Sequence, residues 1–393
     1  MPEPIPAEPG TDKSTRQRLP MTRKLLYAIL PAALLVVVVE TACLFFEAWN
    51  PAIHSAPLHD ELAGITIADE DLFWRVQPNL NTVFQNARVR TNDLGLRNGA
   101  VEEKRPGEFR ILSLGESTTF GDGVDDEKTY SAVLEKYLNR ESKGTAFQVL
   151  NGGVPSYTCF QSLQFLKTRG IELKPDLVLF YHEFNDFLPA SHRTSSNDLI
   201  GLSQTDRQRH GTTRNWIHRR LFTWSAFYRW LCRQMARWDI EKIQNDSENT
   251  SGFMFTPEFQ QKVFHQEILP GKASQGVFLL QRVPAGDRAI VFRELFDFCR
   301  SHGIRLVVIH PSYKASAPHE CQITQLCREG DVPLFEAHAS LHAADIPPEL
   351  LFQDHVHPTE LGHRRLGEAL GQFLLEGALL PSRSGGEERK TPR

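Results

Sequence analysis

From about Phe109 onward the chain alternates between strand-like and helix-like hydrophobic periods, and that alternation leaves few folds open. A strand Phe109–Leu114 is followed by a helical stretch Tyr130–Arg140, with Tyr130, Val133, Leu134, Tyr137 and Leu138 at helical spacing. Strand Phe147–Leu150, helix Phe160–Arg169 and strand Leu177–Tyr181 come next. After a break the pattern resumes with a helix about Arg288–Ser301, strands Arg305–Ile309 and Pro333–Phe335, and a last helix Thr359–Leu375. Parallel strands need long crossovers, and helices usually supply them. The sequence therefore predicts an α/β protein: a three-layer α/β/α sandwich with a mostly parallel sheet of about five strands, buried on both faces. The break, about residues 190–285, is rich in Arg, Trp and Gln and holds a helical fragment Trp224–Trp238. It reads as an insertion that could cap an active site.

One other segment sets a location. Leu25 to Val39 carries no charge, and after Glu40 the apolar character resumes through Phe46. Together these approach the length that spans a bilayer. Glu40 is costly at depth, but near one end it can reach the interface, and Trp49 would sit at the outer headgroup level. Arg16, Arg18, Arg23 and Lys24 precede the run, so residues 1–24 form a cytoplasmic tail, 25–46 a transmembrane helix, and the rest lies outside the cytoplasm. Bulky Leu44-Phe45-Phe46 disfavours signal cleavage. Residues 47–107 read as a juxtamembrane segment without strong periodicity, in which Val89–Arg97 is a short strand leading into an Asn-Asp…Gly turn. The main domain covers 108–380, and the charged end 381–393 is predicted disordered.

Charge and cysteines narrow the function. A formal net charge of -4 argues against nucleic acid as a partner. None of the six cysteines forms a Cys-x-x-Cys pair, so a zinc ribbon or a thioredoxin-type site is disfavoured. Cys321 and Cys327 could pair in an oxidising compartment, although buried free thiols are the simpler reading for most of the six.

The chemistry is carried by three separated stretches. Ile111-Leu112-Ser113-Leu114-Gly115-Glu116-Ser117 runs a buried strand into a tight turn that presents Ser117 before a helix. Its backbone N–H groups could stabilise an oxyanion. Asp354-His355-Val356-His357-Pro358 supplies an acid and an imidazole three residues apart, with Pro358 placed to start the last helix. A serine needs a base to attack an ester, and the base needs a group to orient it. Asn151-Gly152-Gly153 and His182-Glu183-Phe184-Asn185-Asp186 each follow a strand, so the Gly153 N–H and the Asn185 amide could face the same pocket. Asp186 reads as a cap of the next element. His355 is the nearest rival of His357 but stands only one residue after Asp354. His338 and His342, four apart, could pair on a metal, but no third ligand is placed, so exposed polar residues are the better reading.

These blocks in this order resemble the SGNH hydrolases, also called GDSL-type esterases, over roughly Arg110–Leu375. The resemblance implies a flavodoxin-like fold, a nucleophile Ser117, a base His357 oriented by Asp354, and an oxyanion hole of Ser117 N–H, Gly153 N–H (with Gly152 second) and Asn185. It implies acyl transfer with no metal or organic cofactor. The stretch Phe73-Trp74-Arg75…Pro78-Asn79 with Asn92–Arg97 looks like the prefix of membrane-anchored bacterial members. Two departures stand out. Glu116 replaces the usual Asp, and Glu183 replaces the usual Gly, where a carboxylate could narrow the pocket. The expected substrate is an O-acetyl glycan or a lipid-like ester. Two further readings are an O-acyltransferase acting on an exported polysaccharide and a non-catalytic glycan-binding protein of the same fold.

Overall fold

The computed structural model describes residues 20–49, 64–142, 144–188, 190, 198–245, 280–315, 320–342 and 346–381. The chain opens with α1 (Met21–Trp49), a helix longer than the span read from the sequence. Among the described residues it is the one helix long and apolar enough to cross a membrane. Two hairpins follow, β1 (Thr66–Asp69) with β2 (Phe73–Val76), and β3 (Asn81–Phe84) with β4 (Ala87–Arg90).

The main domain then runs β5 (Glu108–Gly115), α2 (Ser117–Phe120), α3 (Tyr130–Glu141), β6 (Ala146–Gly153), α4 (Cys159–Thr168), β7 (Leu177–Tyr181) and α5 (Phe184–Phe187). The insertion supplies α6 (Leu199–Leu202), α7 (Asp206–Arg214), α8 (Trp216–Trp224) and α9 (Ala226–Asn245). The domain closes with α10 (Ala285–Ser301), β8 (Arg305–His310), α11 (Gln322–Glu329), β9 (Leu334–Glu336), α12 (His338–Leu341), α13 (Pro348–Leu351) and α14 (Glu360–Glu376).

Five strands form one sheet in the order β6-β5-β7-β8-β9, and every pairing is parallel. This is the 2-1-3-4-5 order of flavodoxin-like sheets. On one face Leu112, Leu114, Leu150 and Phe180 pack with Leu163, Phe292 and Leu326 of α4, α10 and α11. On the other, Ile111, Leu177 and Leu179 pack with Leu134 of α3 and Leu370 of α14. Both faces are covered, which is why the strands read as largely apolar runs. Helix α11 was not legible in the sequence.

The hairpins before the sheet pack on the domain. Leu72, Trp74, Val76 and Val89 form a third apolar cluster with Phe120 and Tyr157. The buried Arg97 guanidinium donates to the carbonyls of Arg88 (2.8 Å), Phe120 (2.8 Å), Gly121 (2.6 Å) and Val124 (2.6 Å). Its Nε pairs with Asp126 at 2.9 Å. It thus clamps the chain just after α2, where Gly121 takes a left-handed φ of 91°.

The insertion also differs from expectation. The fragment Trp224–Trp238 is broken at Ser225, which separates α8 from α9. Helix α7 packs on α4, and α9 packs on α6 and α1. Residues 246–279 lie outside the described residues, and so does the tail 382–393.

Candidate active site

The sheet register brings the site together. Gly115 of β5 pairs with Gly153 of β6 on one side and Tyr181 of β7 on the other. The three strands therefore end level, and the residues beyond them meet at the carboxyl edge, where open α/β sheets place ligands. Ser117 lies two residues past the end of β5, at the start of α2. Asn185 lies in α5 just past β7.

His357 comes from the loop between α13 and α14. Its Nε2 stands 2.8 Å from Ser117 Oγ, and its Nδ1 stands 2.7 Å from Asp354 Oδ2. The ionised carboxylate only accepts, so Nδ1 carries the proton and Nε2 is free to accept from the serine. Asp354 Oδ1 also accepts the backbone N–H groups of Val356 and His357, both at 2.7 Å. That local turn fixes the three-residue spacing in space. Helix α14 starts at Glu360, not at Pro358, and Thr359 caps it, accepting from Gly362 N–H at 3.2 Å.

Charge is arranged accordingly. Loss of hydration pushes Asp354 up, but hydrogen bonds from His357 and its own turn outweigh it and hold the carboxyl at about 2. Burial pushes His357 down, but the Asp354 hydrogen bond and the carboxylates of Asp122 and Asp354 raise it above its ordinary value. Asp122, beside the site, is itself pushed up to about 6 by burial, opposed by His357 and Arg97.

The side of the site that holds Asn185 is built from neighbours. Asn185 Nδ2 donates one hydrogen to Tyr157 O at 3.1 Å, which orients the amide. The Asn185 backbone N–H donates to Glu116 Oε2 at 3.1 Å. Glu116 is buried, and burial together with the Asp186 charge pushes its carboxyl up to about 8. The residue that departs from the family pattern is therefore a brace under Asn185. The Gly153 N–H donates to Asn151 Oδ1 at 3.0 Å. What the position demands is the lack of a side chain: a Cβ there would lie 2.2 Å from Phe120 N and 2.6 Å from Thr119 C. Gly153 seats α2, and with it Ser117, against β6. Gly152 is less tightly placed, meeting Leu114 Cδ2 at 3.0 Å.

Other candidates fall elsewhere. Asp186 does not cap its own short helix; its Oδ1 accepts from Cys159 N–H at the start of α4 (2.9 Å), and its Oδ2 pairs with Arg288 at 3.2 Å. His355 does not join the triad; its carbonyl accepts from Lys314 N–H. His338 and His342 are half-buried and stacked at 4.2 Å, with His342 Nε2 on Tyr313 O (2.9 Å) and His338 Nδ1 near Ser312 Oγ (3.2 Å). They are not exposed. Glu183 is buried and accepts from Tyr313 OH at 3.2 Å. Its carboxylate, His310 and Cys321 lie within 4.8 Å of one another. Each has a protein partner: His310 Nδ1 meets Glu336 Oε2 at 2.7 Å, and its Nε2 meets Cys321 Sγ at 3.4 Å. All six cysteines are free thiols, and Cys321 and Cys327 are both buried.

Sequence reasoning missed the supports: Arg97, Asn151, Tyr157, Arg288 and the fully buried Arg282–Asp206 pair at 2.9 Å. Buried and exposed arginines look alike in a sequence, because only the fold supplies their partners.

No protein-family model matches the chain, and no curated protein matches it. Similar solved structures include an acetylxylan esterase from Geobacillus stearothermophilus, 15% identical over 68% of this chain and 93% of that one, with a TM-score of 0.39. Another is a two-domain esterase active on acetylated mannans, 12% identical over 70% of this chain and 51% of that one, with a TM-score of 0.39. A third is a GDSL-like lipase from Bacteroides thetaiotaomicron, 10% identical over 68% of this chain and 88% of that one, with a TM-score of 0.33. These overall likenesses are loose, and the weight rests on the chain's own geometry. In sheet order, and in the order of the blocks bearing Ser117, Gly153, Asn185 and His357, the chain resembles the SGNH (GDSL-type) hydrolases.

Proposed function

We propose that this chain is a serine esterase of the SGNH type, anchored by α1 with its catalytic domain outside the cytoplasm. The observation that carries this reading is the hydrogen-bonded path from Ser117 Oγ through His357 to Asp354, at 2.8 and 2.7 Å. Ser117 Oγ attacks the ester carbonyl while His357 Nε2 takes its proton. Asp354 keeps the imidazole in the right tautomer and stabilises the imidazolium that forms. Negative charge on the carbonyl oxygen is met by the Ser117 N–H and by the second hydrogen of the Asn185 amide. The tetrahedral species collapses, and the alcohol leaves with the proton from His357. Water, deprotonated by His357, then releases the acid and restores Ser117.

The substrate class we favour is a carboxylic ester carried by an exported glycan or by a lipid-like molecule, reached from the membrane surface. The test is hydrolysis of p-nitrophenyl acetate by the full chain in detergent, beside Ser117→Ala and His357→Ala. Loss in both variants, together with loss of fluorophosphonate labelling in Ser117→Ala, supports the mechanism. A folded wild-type chain that neither hydrolyses the ester nor takes the label excludes it.

A further inference from the structure

The hairpin of α8 and α9 gathers apolar surface that the domain does not cover. Trp216 is 71% exposed, Trp224 80% and Trp238 67%, and Leu221, Leu231 and Met235 are exposed beside them. Soluble surfaces scatter such residues singly and rarely gather them. Arg219, Arg220 and Arg237 are exposed on the same two helices.

The position of this hairpin says what meets it. Its tip rests on α1. Glu40 of α1 accepts the backbone N–H groups of Ala226 and Phe227 and the Ser225 hydroxyl at the start of α9. Two turns further on, Glu47 takes Arg229 at 2.7 Å and Arg233 at 2.8 Å. The other end is tied to the domain, where Arg214 pairs with Asp71 at 3.0 Å and Arg219 reaches Glu70 at 3.4 Å. Glu40 lies six residues before Phe46, which at the helical rise puts it about 9 Å inside the end of the apolar run. A carboxylate at that depth needs a partner, and α9 supplies it there. Helices that lie in an interface sink about 5–10 Å, with tryptophans at the headgroups and arginines among the phosphates.

We propose that α8 and α9 form a second membrane contact, sunk in the leaflet nearest the catalytic domain and packed against α1. This rests on reading α1 as a membrane anchor. The insertion is then a foothold that fixes the height and tilt of the domain above the bilayer, and its occupant is lipid.

The experiment uses the full chain in phosphatidylcholine–phosphatidylglycerol vesicles, with Cys43→Ser and Cys232→Ser replacing the two half-exposed cysteines. Fluorescent labels go on Leu35→Cys in α1, Trp224→Cys and Trp238→Cys in the hairpin, and Gln372→Cys on α14, each read against nitroxide-bearing lipids. Quenching at 35, 224 and 238 but not at 372, with shallow nitroxides more effective at 224 than at 35, is the expected result. Quenching at 35 without 224 and 238 overturns the hairpin contact and leaves the anchor standing. No quenching at 35 removes the anchor reading and the hairpin with it. The unlabelled wild-type chain gives a second measurement that needs no variant to fold. Four of its six tryptophans are in the hairpin, so brominated lipids should extinguish most of its tryptophan emission; loss of only a small fraction counts against the proposal.

Discussion

The backbone N–H of Asn185 donates to the carboxyl of Glu116 at 3.1 Å, joining the turn after β5 to the turn after β7. One residue on from Glu116 stands Ser117, so the brace under the Asn185 amide and the serine share a single turn.

Glu116 has a consequence for stability. Burial raises its carboxyl from an ordinary value of 4.5 to about 8, so between those values the folded chain binds a proton that the unfolded chain has lost. Stability therefore falls as pH rises through that window, on the order of 1 kcal/mol per pH unit. Glu116→Gln keeps the acceptor for Asn185 and cannot ionise. Thermal unfolding midpoints should move in favour of the variant from pH 5 to pH 8 and then level off. A gap that stays constant with pH would refute this.

The base sets the acid limb of activity. His357 must be neutral to accept the serine proton, and its proton affinity is raised by Asp354 and Asp122. On a kcat/KM profile the limb should fall above the ordinary histidine value of 6.5. Asp354→Asn removes the main raising partner and unlocks the tautomer. We expect kcat to drop by about 10²–10⁴, with the limb moving to lower pH. An unmoved limb would mean that another group is the base.

Asn185 should act in the transition state. Asn185→Ala removes one oxyanion donor, which costs about 3 kcal/mol, or a kcat loss on the order of 10²-fold. KM should change far less, and fluorophosphonate should still label Ser117, more slowly. A loss confined to KM would assign Asn185 to ground-state binding.

Gly153 and Gly152 separate two roles. A Cβ at Gly153 collides with the backbone of Phe120 and Thr119, which cannot yield without moving α2. At Gly152 the nearest atom is the flexible end of Leu114. Gly153→Ala should lower both the unfolding midpoint and kcat sharply, while Gly152→Ala should cost about 1–3 kcal/mol at most. Equal effects in the two variants would show that α2 is not seated on Gly153.

Arg97 holds the far side of the same turn. Arg97→Met leaves buried carbonyls without their donor, and we expect a loss of about 3 kcal/mol or more in chemical denaturation. Soluble, fully stable protein would show that the segment before β5 is dispensable.

How much of this was legible follows from range. The strands of the sheet are runs of apolar residues doubly buried by local pattern, so Phe109–Leu114, Leu177–Tyr181 and Arg305–Ile309 could be read almost to their ends. The Asp354–His357 pair was legible for the same reason, since its spacing is closed by a turn within four residues. Ser117, by contrast, is 240 positions from His357, and they meet only when α14 has packed on α3 and brought the loop before it to the turn after β5.

By itself the sequence determined the period of each segment, the apolar length of α1 and the residue types that serine chemistry requires. The tertiary structure decided which donors are free, which carboxyls stay protonated and which arginines are buried. It engaged the Gly153 N–H with Asn151, turned Asp186 to α4, and set the start of α9 against Glu40. The physical reason is that hydrophobic period is a local property of the chain. Hydrogen-bond satisfaction and desolvation depend on groups far apart in sequence, and those meet only once the sheet has formed.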